Sequence, residues 1–347
     1  MARGRTGGRV RLADVAARAG VSSKTVSNVV HDYPHVSPEL RARVQAAIEE
    51  LGYRPNLTAR RLVTGRTGML ALAIPWVDQP YFAELARWVG EEAARRGYRV
   101  LIEQTANSIE LERAVLQDRE QGLVDGVIFH PVMIDTLEIA RLQPDTPLVL
   151  LGEAASPLTT DHVMVDNVEA ARAGVSLLLE RGRRRIAFLA TIRDDITGST
   201  QLRLQGYQEA LVGAGVRPDP ALVLRSEGWA IENAAGALER ALAEGVEIDA
   251  VFCRDDTFAM GALQALSAAG RRVPEDVAVL GWDDTTLARC STPGLTSVAP
   301  DKAAIAAIAL DLLQERMAGY RGIGRHRLAG YRIAERDSTP VPIYSAE

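Results

Sequence analysis

Two groups of residues in this chain could do chemistry, and they lie far apart. Near the start, the stretch AGVSSKTVSNVVHDYPHVS (Ala19 to Ser37) sets Ser23, Lys24, Ser27, Asn28 and His31 on one face of a helical segment whose other face is Val26, Val29 and Val30. Short or flexible polar side chains of this kind hydrogen-bond base edges or phosphates, and a helix amino terminus favours an anionic neighbour. Further on come the acid pairs Asp194-Asp195, Asp255-Asp256 and Asp283-Asp284, with Trp76, Trp229 and Trp282. Paired carboxylates suggest acid–base or metal chemistry, but their repeated position after apolar runs fits ligand contacts or helix caps better. His31 and His35 form a lone pair with too few companions for a metal site, and no GxxxxGK[ST], strand-linked GxGxxG, HExxH or GxSxG motif occurs. The expectation is a binding protein, not an enzyme, with no metal and no cofactor.

Periodicity shows which elements must position these groups. Leu12, Val15, Ala16 and Ala19 recur at helical spacing until Gly20, which predicts a first short helix. Ser22 caps the second, and Ser37-Pro38 opens a third that runs through Leu40, Val44, Ala47, Ile48 and Leu51 to Gly52. Two short helices joined by a tight Gly-containing turn form a helix-turn-helix, whose second helix enters the major groove. Asn56 caps a further segment, Leu57 to Val63, that is too short to hold as an isolated helix. From Met69 the pattern becomes apolar runs (MLALAIP, YRVLIEQT, VDGVIFHPV, PLVLLGE, RIAFLA, AVFCRD, VAVLGW) alternating with helical stretches. Such runs predict parallel sheets covered on both faces, arranged as two α/β lobes with a cleft between them.

Charge divides the chain in the same way. The net charge of −5 hides a head, through Thr67, with 12 basic against 5 acidic residues, while the remainder carries 28 against 40. A basic head on an acidic body points to a polyanion as the partner of the head alone. The 2 cysteines are too far apart for a ligand spacing, and there is no apolar leader or membrane-spanning run, so a cytoplasmic protein is expected.

The stretch RLADVAARAGVSSKTVSNVVHDYPHVSPELRARVQAAIEELGYRPNLTARRL resembles the DNA-binding domain of LacI/GalR bacterial transcriptional regulators nearly position by position. The resemblance continues through FAELA, VDN, RIAFLA, RLQGYQEAL, AMGAL and VPEDVAVLGWDD. It implies a flexible basic tail (1–10), a helix-turn-helix domain (11–54), a hinge (55–67) and a periplasmic-binding-protein-like body. The body's lobes would comprise 68–165 plus 302–327 and 166–297 plus 328–340. On this resemblance Ser23, Lys24 and Asn28 read bases, while Ser22, Thr25 and Ser27 lie near phosphates. Asn28 replaces the arginine of some members, and asparagine suits adenine where arginine suits guanine. Asn56, Ala59, Arg60 and Leu62 fall in the hinge, with Ala59 and Leu62 where members press an apolar wedge into the minor groove.

For the body, the resemblance implies a cleft that holds a small molecule, most readily a sugar. Arg203 supplies a guanidinium and Asp283 a carboxylate. Gln79, Tyr81, Phe82, Glu153, Ser199, Trp229, Asp255 and Trp282 complete the lining. Asp255 and Glu153 depart from the usual residues and add acceptor capacity, favouring a hydroxyl-rich or basic ligand over an anion. Trp88, with Leu85 and Val89, lies on a helix that borders either the core or a dimer contact. The expected protein is a homodimeric repressor on a palindromic operator in double-stranded DNA, released when a carbohydrate closes the cleft. A corepressor-activated regulator answering to a non-sugar metabolite is the alternative. No membrane partner is expected, and the ending RDSTPVPIYSAE has no leucine heptad for tetramer formation.

Overall fold

Glycines in the left-handed region stop the helices of the amino-terminal unit where the sequence pattern breaks: Gly20 at φ 66° and Gly52 at φ 63°. In the computed structural model, which describes residues 10–30, 33–53, 66–117, 122–141, 146–153, 158–191 and 198–339, that unit is α1 (Leu12–Ala19), α2 (Ser23–Val30) and α3 (Pro38–Leu51). Ser22 Oγ accepts the Thr25 N–H at 3.1 Å, and Ser37 Oγ accepts that of Leu40 at 3.3 Å, satisfying amides that each helix start leaves open. Val15, Ala16, Ala19, Val26, Val29, Val44 and Ala47 form the small core. Val30, expected on the inner face of α2, is only half-buried and packs at the margin of this core. The chain divides into two compact units, Met1–Thr67 and Gly68–Glu347.

The larger unit contains the strands β1 (Met69–Ile74), β2 (Arg99–Gln104), β3 (Gly126–Phe129), β4 (Leu148–Leu151), β5 (Asp161–Val165), β6 (Ile186–Ala190), β7 (Val223–Arg225), β8 (Ala250–Cys253), β9 (Ala278–Trp282), β10 (Thr296–Pro300), β11 (His326–Ala329) and β12 (Tyr331–Ala334). They form two six-stranded sheets, ordered β11-β5-β4-β3-β1-β2 and β12-β10-β9-β8-β6-β7. Every pairing is parallel except β12 against β10. The central strands are the apolar runs of the sequence and are buried along their length, because helices cover both faces.

The chain crosses between the sheets three times, after Val165, Pro300 and Ala329. The last two crossings differ from the expected lobe limits. Val298 to Pro300 stay in the second sheet, paired with β12. Leu328 and Ala329 belong to the first sheet, in register with Met164 and Val165, so its return extends past 327 to Ala329. In both cases the strand's register, set by a partner distant in sequence, decides which sheet the segment joins.

Candidate nucleic-acid interface and ligand cavity

At the start of α2, Ser22, Ser23 and Lys24 are exposed, and further along it Thr25, Ser27 and Asn28 are half-buried. The hydroxyls of Ser22 and Thr25 lie 2.9 Å apart, so each holds the other at the start of the helix, where backbone amides point outward. Arg41 of α3 donates to the Tyr33 carbonyl at 3.0 Å, tying the loop after α2 to its brace. His31 and the expected hinge residues Asn56, Ala59, Arg60 and Leu62 lie outside the described residues.

In the body, a cavity of about 1270 Å³, its open mouth included, lies between the sheets and is lined from both. Pro75 and Trp76 follow β1, His130 follows β3, Gly152 and Glu153 follow β4, Thr191 follows β6, Arg254 and Asp255 follow β8, and Asp283 follows β9. Chain order reverses at β1 in one sheet and β6 in the other, so the connections leaving the strands' carboxyl ends there run to opposite faces and leave a crevice. All ten residues expected in the cleft (Gln79, Tyr81, Phe82, Glu153, Ser199, Arg203, Trp229, Asp255, Trp282 and Asp283) line this cavity. Sequence reasoning missed Asn107, His130, Asn167, Thr191 and Arg254. Two of these carried a readable signal: His130 and Arg254 are the first polar residues after buried parallel strands.

Asn167 joins the two lobes at the cavity wall. Its amide donates to Glu153 Oε1 at 2.7 Å and its carbonyl oxygen accepts Arg203 Nε at 2.8 Å. Arg203 lies over the Trp282 ring, 3.9 Å from its centre, and also donates to the Arg254 carbonyl. Trp282 is therefore no open platform for a sugar ring: it is 0% exposed, with Arg203 over its face. Trp76 and Trp229 remain half-buried. Thr191 and Ser226 both donate to the Gly228 carbonyl, at 2.8 and 2.9 Å, which secures the turn that carries Trp229.

The acid pairs divide their labour. Asp255 caps the helix Asp256–Ala268 through the Phe258 amide at 2.9 Å and faces the cavity. Asp256 is buried and accepts from Thr285 N–H, Thr285 Oγ1 and Ser297 Oγ at 2.7, 2.9 and 2.7 Å. Asp283 faces the cavity, whereas Asp284 is held by Arg332 at 2.8 Å and Arg336 at 2.5 Å. Asp283 and Asp284 have φ of 100° and 47°, an unfavourable region for residues with a Cβ. Lys302 holds this turn from below by donating to both their carbonyls. Burial, opposed by Arg203, pushes the Asp283 carboxyl up to about 6. Burial, reinforced by Asp283, pushes Asp256 to about 7. Asp194 and Asp195 lie outside the described residues.

Among the described residues, five of the six buried polar side-chain atoms without a hydrogen-bond partner lie at this cavity: Asn107 Oδ1, His130 Nδ1, Trp282 Nε1 and Arg254 Nε and Nη1. Each such atom costs about 1–3 kcal/mol unless something meets it. Burial lowers His130 to about 4, so its ring is neutral at pH 7 and offers one donor and one acceptor. The site is built to surround a small molecule that carries both donors and acceptors.

A basic three-helix unit with a polar second helix, followed by two doubly wound lobes around a cavity lined by charged and apolar side chains, defines a DNA-binding protein with a ligand-sized cavity. The chain belongs to the lacI family of bacterial regulatory proteins and is a DNA-binding transcriptional regulator. The sequence profile of that family's DNA-binding domain matches residues 11–56, and that of the periplasmic binding protein-like domain matches 175–339. The HTH-type transcriptional regulator CelR of Thermobifida fusca is 38% identical over 303 residues, 84% of this chain and 86% of the relative. A structure of a CelR–cellobiose complex superposes with a TM-score of 0.70 at 31% identity, covering 95% of this chain and 100% of the other. The lac repressor dimer bound to operator and the anti-inducer ONPF superposes at 0.84 with 26% identity, covering 96% and 100%. No helix among the described residues is long and apolar enough to cross a membrane.

Proposed function

We propose that this regulator is a homodimeric repressor that binds a palindromic operator and is released when a neutral carbohydrate closes the cavity. The observation that carries the ligand reading is the cavity's mixed lining: carboxylates, guanidinia and unmet donors and acceptors beside the indoles of Trp76 and Trp229. Vicinal hydroxyls suit the charged groups and the apolar face of a sugar ring suits an indole. The likeness to CelR makes cellobiose the first compound to test. In the head, Ser23, Lys24 and Asn28 read base edges, with Ser22, Thr25 and Ser27 near phosphates. The hinge residues Asn56, Ala59, Arg60 and Leu62 serve the minor groove.

The dimer reading rests on β2, an edge strand with neighbours Leu101 and Ile102 at 43% and 46% exposure on opposite faces. An edge of this kind invites a partner, and two heads are needed for a specific site. The test is calorimetry of the full chain with a panel of neutral mono- and disaccharides, followed by operator binding with and without each sugar that binds. Weakened operator binding is the expected result; strengthened binding means corepression. Unchanged operator affinity at a saturating sugar concentration sinks the mechanism.

A further inference from the structure

Arg254 is the first residue after β8 and its side chain is 12% exposed. Its guanidinium lies over the Trp229 indole, 4.2 Å from the ring centre. Asp255 Oδ2 is 3.2 Å from Nε, outside hydrogen-bonding alignment, and Oδ1 of the same carboxylate is held by the Phe258 amide. Nε and Nη1 are both buried without an acceptor, while the backbone carbonyl of Arg254 accepts from Arg203. A guanidinium taken out of water in this way loses hydrogen bonds that the fold does not restore. Its stacking on Trp229 nevertheless holds it at the cavity wall.

The charges around it decide what could meet those donors. Glu153, Asp255 and Asp283 face the cavity with Arg203 and Arg254, so the wall has no surplus of positive charge to attract an anion. Asn107 Oδ1, on the first lobe's side, needs a donor that an anion lacks. Hydroxyl groups satisfy both demands, and ring or glycosidic oxygens satisfy the guanidinium alone.

We propose that Arg254 is a specificity-determining ligand contact, donating to oxygens of a neutral polyhydroxylated ligand while fixing the Trp229 ring beside it. The assignment rests on the carbohydrate reading above, and it adds to that reading the residue that enforces it.

The test compares the full chain with Arg254→Met, which keeps the apolar stem, and Arg254→Lys, which keeps the charge but lacks the Nε donor. Calorimetry with cellobiose, maltose and cellobionate is paired with thermal melts without sugar. For a neutral sugar that binds the parent protein, the Met variant is expected to lose about 10- to 100-fold in affinity and the Lys variant to recover only part. Both melts are expected to stay within about 3 °C of the parent, because the Arg254 side chain gives up only the misaligned contact with Asp255 and its stacking on Trp229, while its Nε and Nη1 have no hydrogen bond to lose. Parent-like affinity in the Met variant, or a large melting drop at unchanged affinity, overturns the assignment. Tighter binding of cellobionate than of cellobiose overturns the neutral preference. Failure of every sugar to bind the parent overturns the carbohydrate reading, and this assignment with it.

Discussion

Asp283 combines three costs in one residue: burial of a carboxylate, proximity to Asp255, and a backbone φ of 100°. Its pKa of about 6 lies above the ordinary value, so the folded chain binds this proton more tightly than the unfolded chain does. The stability this proton supplies is fully present below about pH 4 and is lost as pH rises through about 6. Asp283→Asn should therefore stabilise the ligand-free protein at pH 8 by on the order of 2 kcal/mol and leave it little changed at pH 4.5. Urea denaturation of both proteins at the two pH values checks the sign. The same substitution should weaken effector binding at pH 8, and in the parent that affinity should fall as Asp283 is protonated below about pH 6. At the other site, Asn28→Arg should move base preference from adenine toward guanine at one half-site position by about 1–3 kcal/mol. Selection from randomised half-sites reads this directly, and an unchanged preference removes Asn28 from the reading set.

At the scale of elements, the two lobes are joined by more than their three crossings. Glu84, on the first-lobe helix Pro80–Arg95, accepts from Thr286 N–H at 2.9 Å and Thr286 Oγ1 at 3.0 Å, and pairs with Arg289 at 3.2 Å on the second lobe. Its other oxygen lies 3.1 Å from Lys302, which also supports the Asp283 turn. Burial pushes the Glu84 pKa up, but the Lys302 charge and the hydrogen bonds outweigh it, and the net direction is down. The stability that follows is present at neutral pH and is lost on acidification. Glu84→Ala strands the buried Lys302 and should destabilise the body by about 3 kcal/mol, with Glu84→Gln losing less because it keeps an acceptor for Thr286. Thermal melts of the variants decide this, and an unchanged Glu84→Ala melt would remove Glu84 as a tie between the lobes. Sequence alone located the central strands but not β5, β7, β10, β11 or β12. Those are short or polar, as in DHVMV and TSVAP, and are held by partners such as Arg325 on Asp161 and Ser338 on Thr296.

For the whole molecule, DNA and ligand sites lie in separate compact units of opposite charge. Coupling between them has to be reciprocal: if a sugar lowers operator affinity by some factor, the operator lowers sugar affinity by the same factor. Titrating a sugar that binds, with and without saturating operator, is expected to give matching factors, and a mismatch excludes simple two-site linkage. The basic head also predicts operator affinity that falls steeply with salt, while sugar binding by the acidic body changes little.

What this sequence determined by itself is local. Caps at Ser22 and Ser37, stops at Gly20 and Gly52, and helical spacing of valines and alanines specify the head without help from distant residues. Buried apolar runs ending in polar residues likewise place Glu153, Asp255 and Asp283 at a sheet's carboxyl edge. Tertiary structure decided which acid of the 255–256 and 283–284 pairs faces the cavity, why Trp282 lies beneath Arg203, and where Arg254 and Asn107 meet the cleft. The physical reason is that local propensity acts over a few residues, whereas burial and hydrogen-bond satisfaction depend on elements that packing brings together from far along the chain.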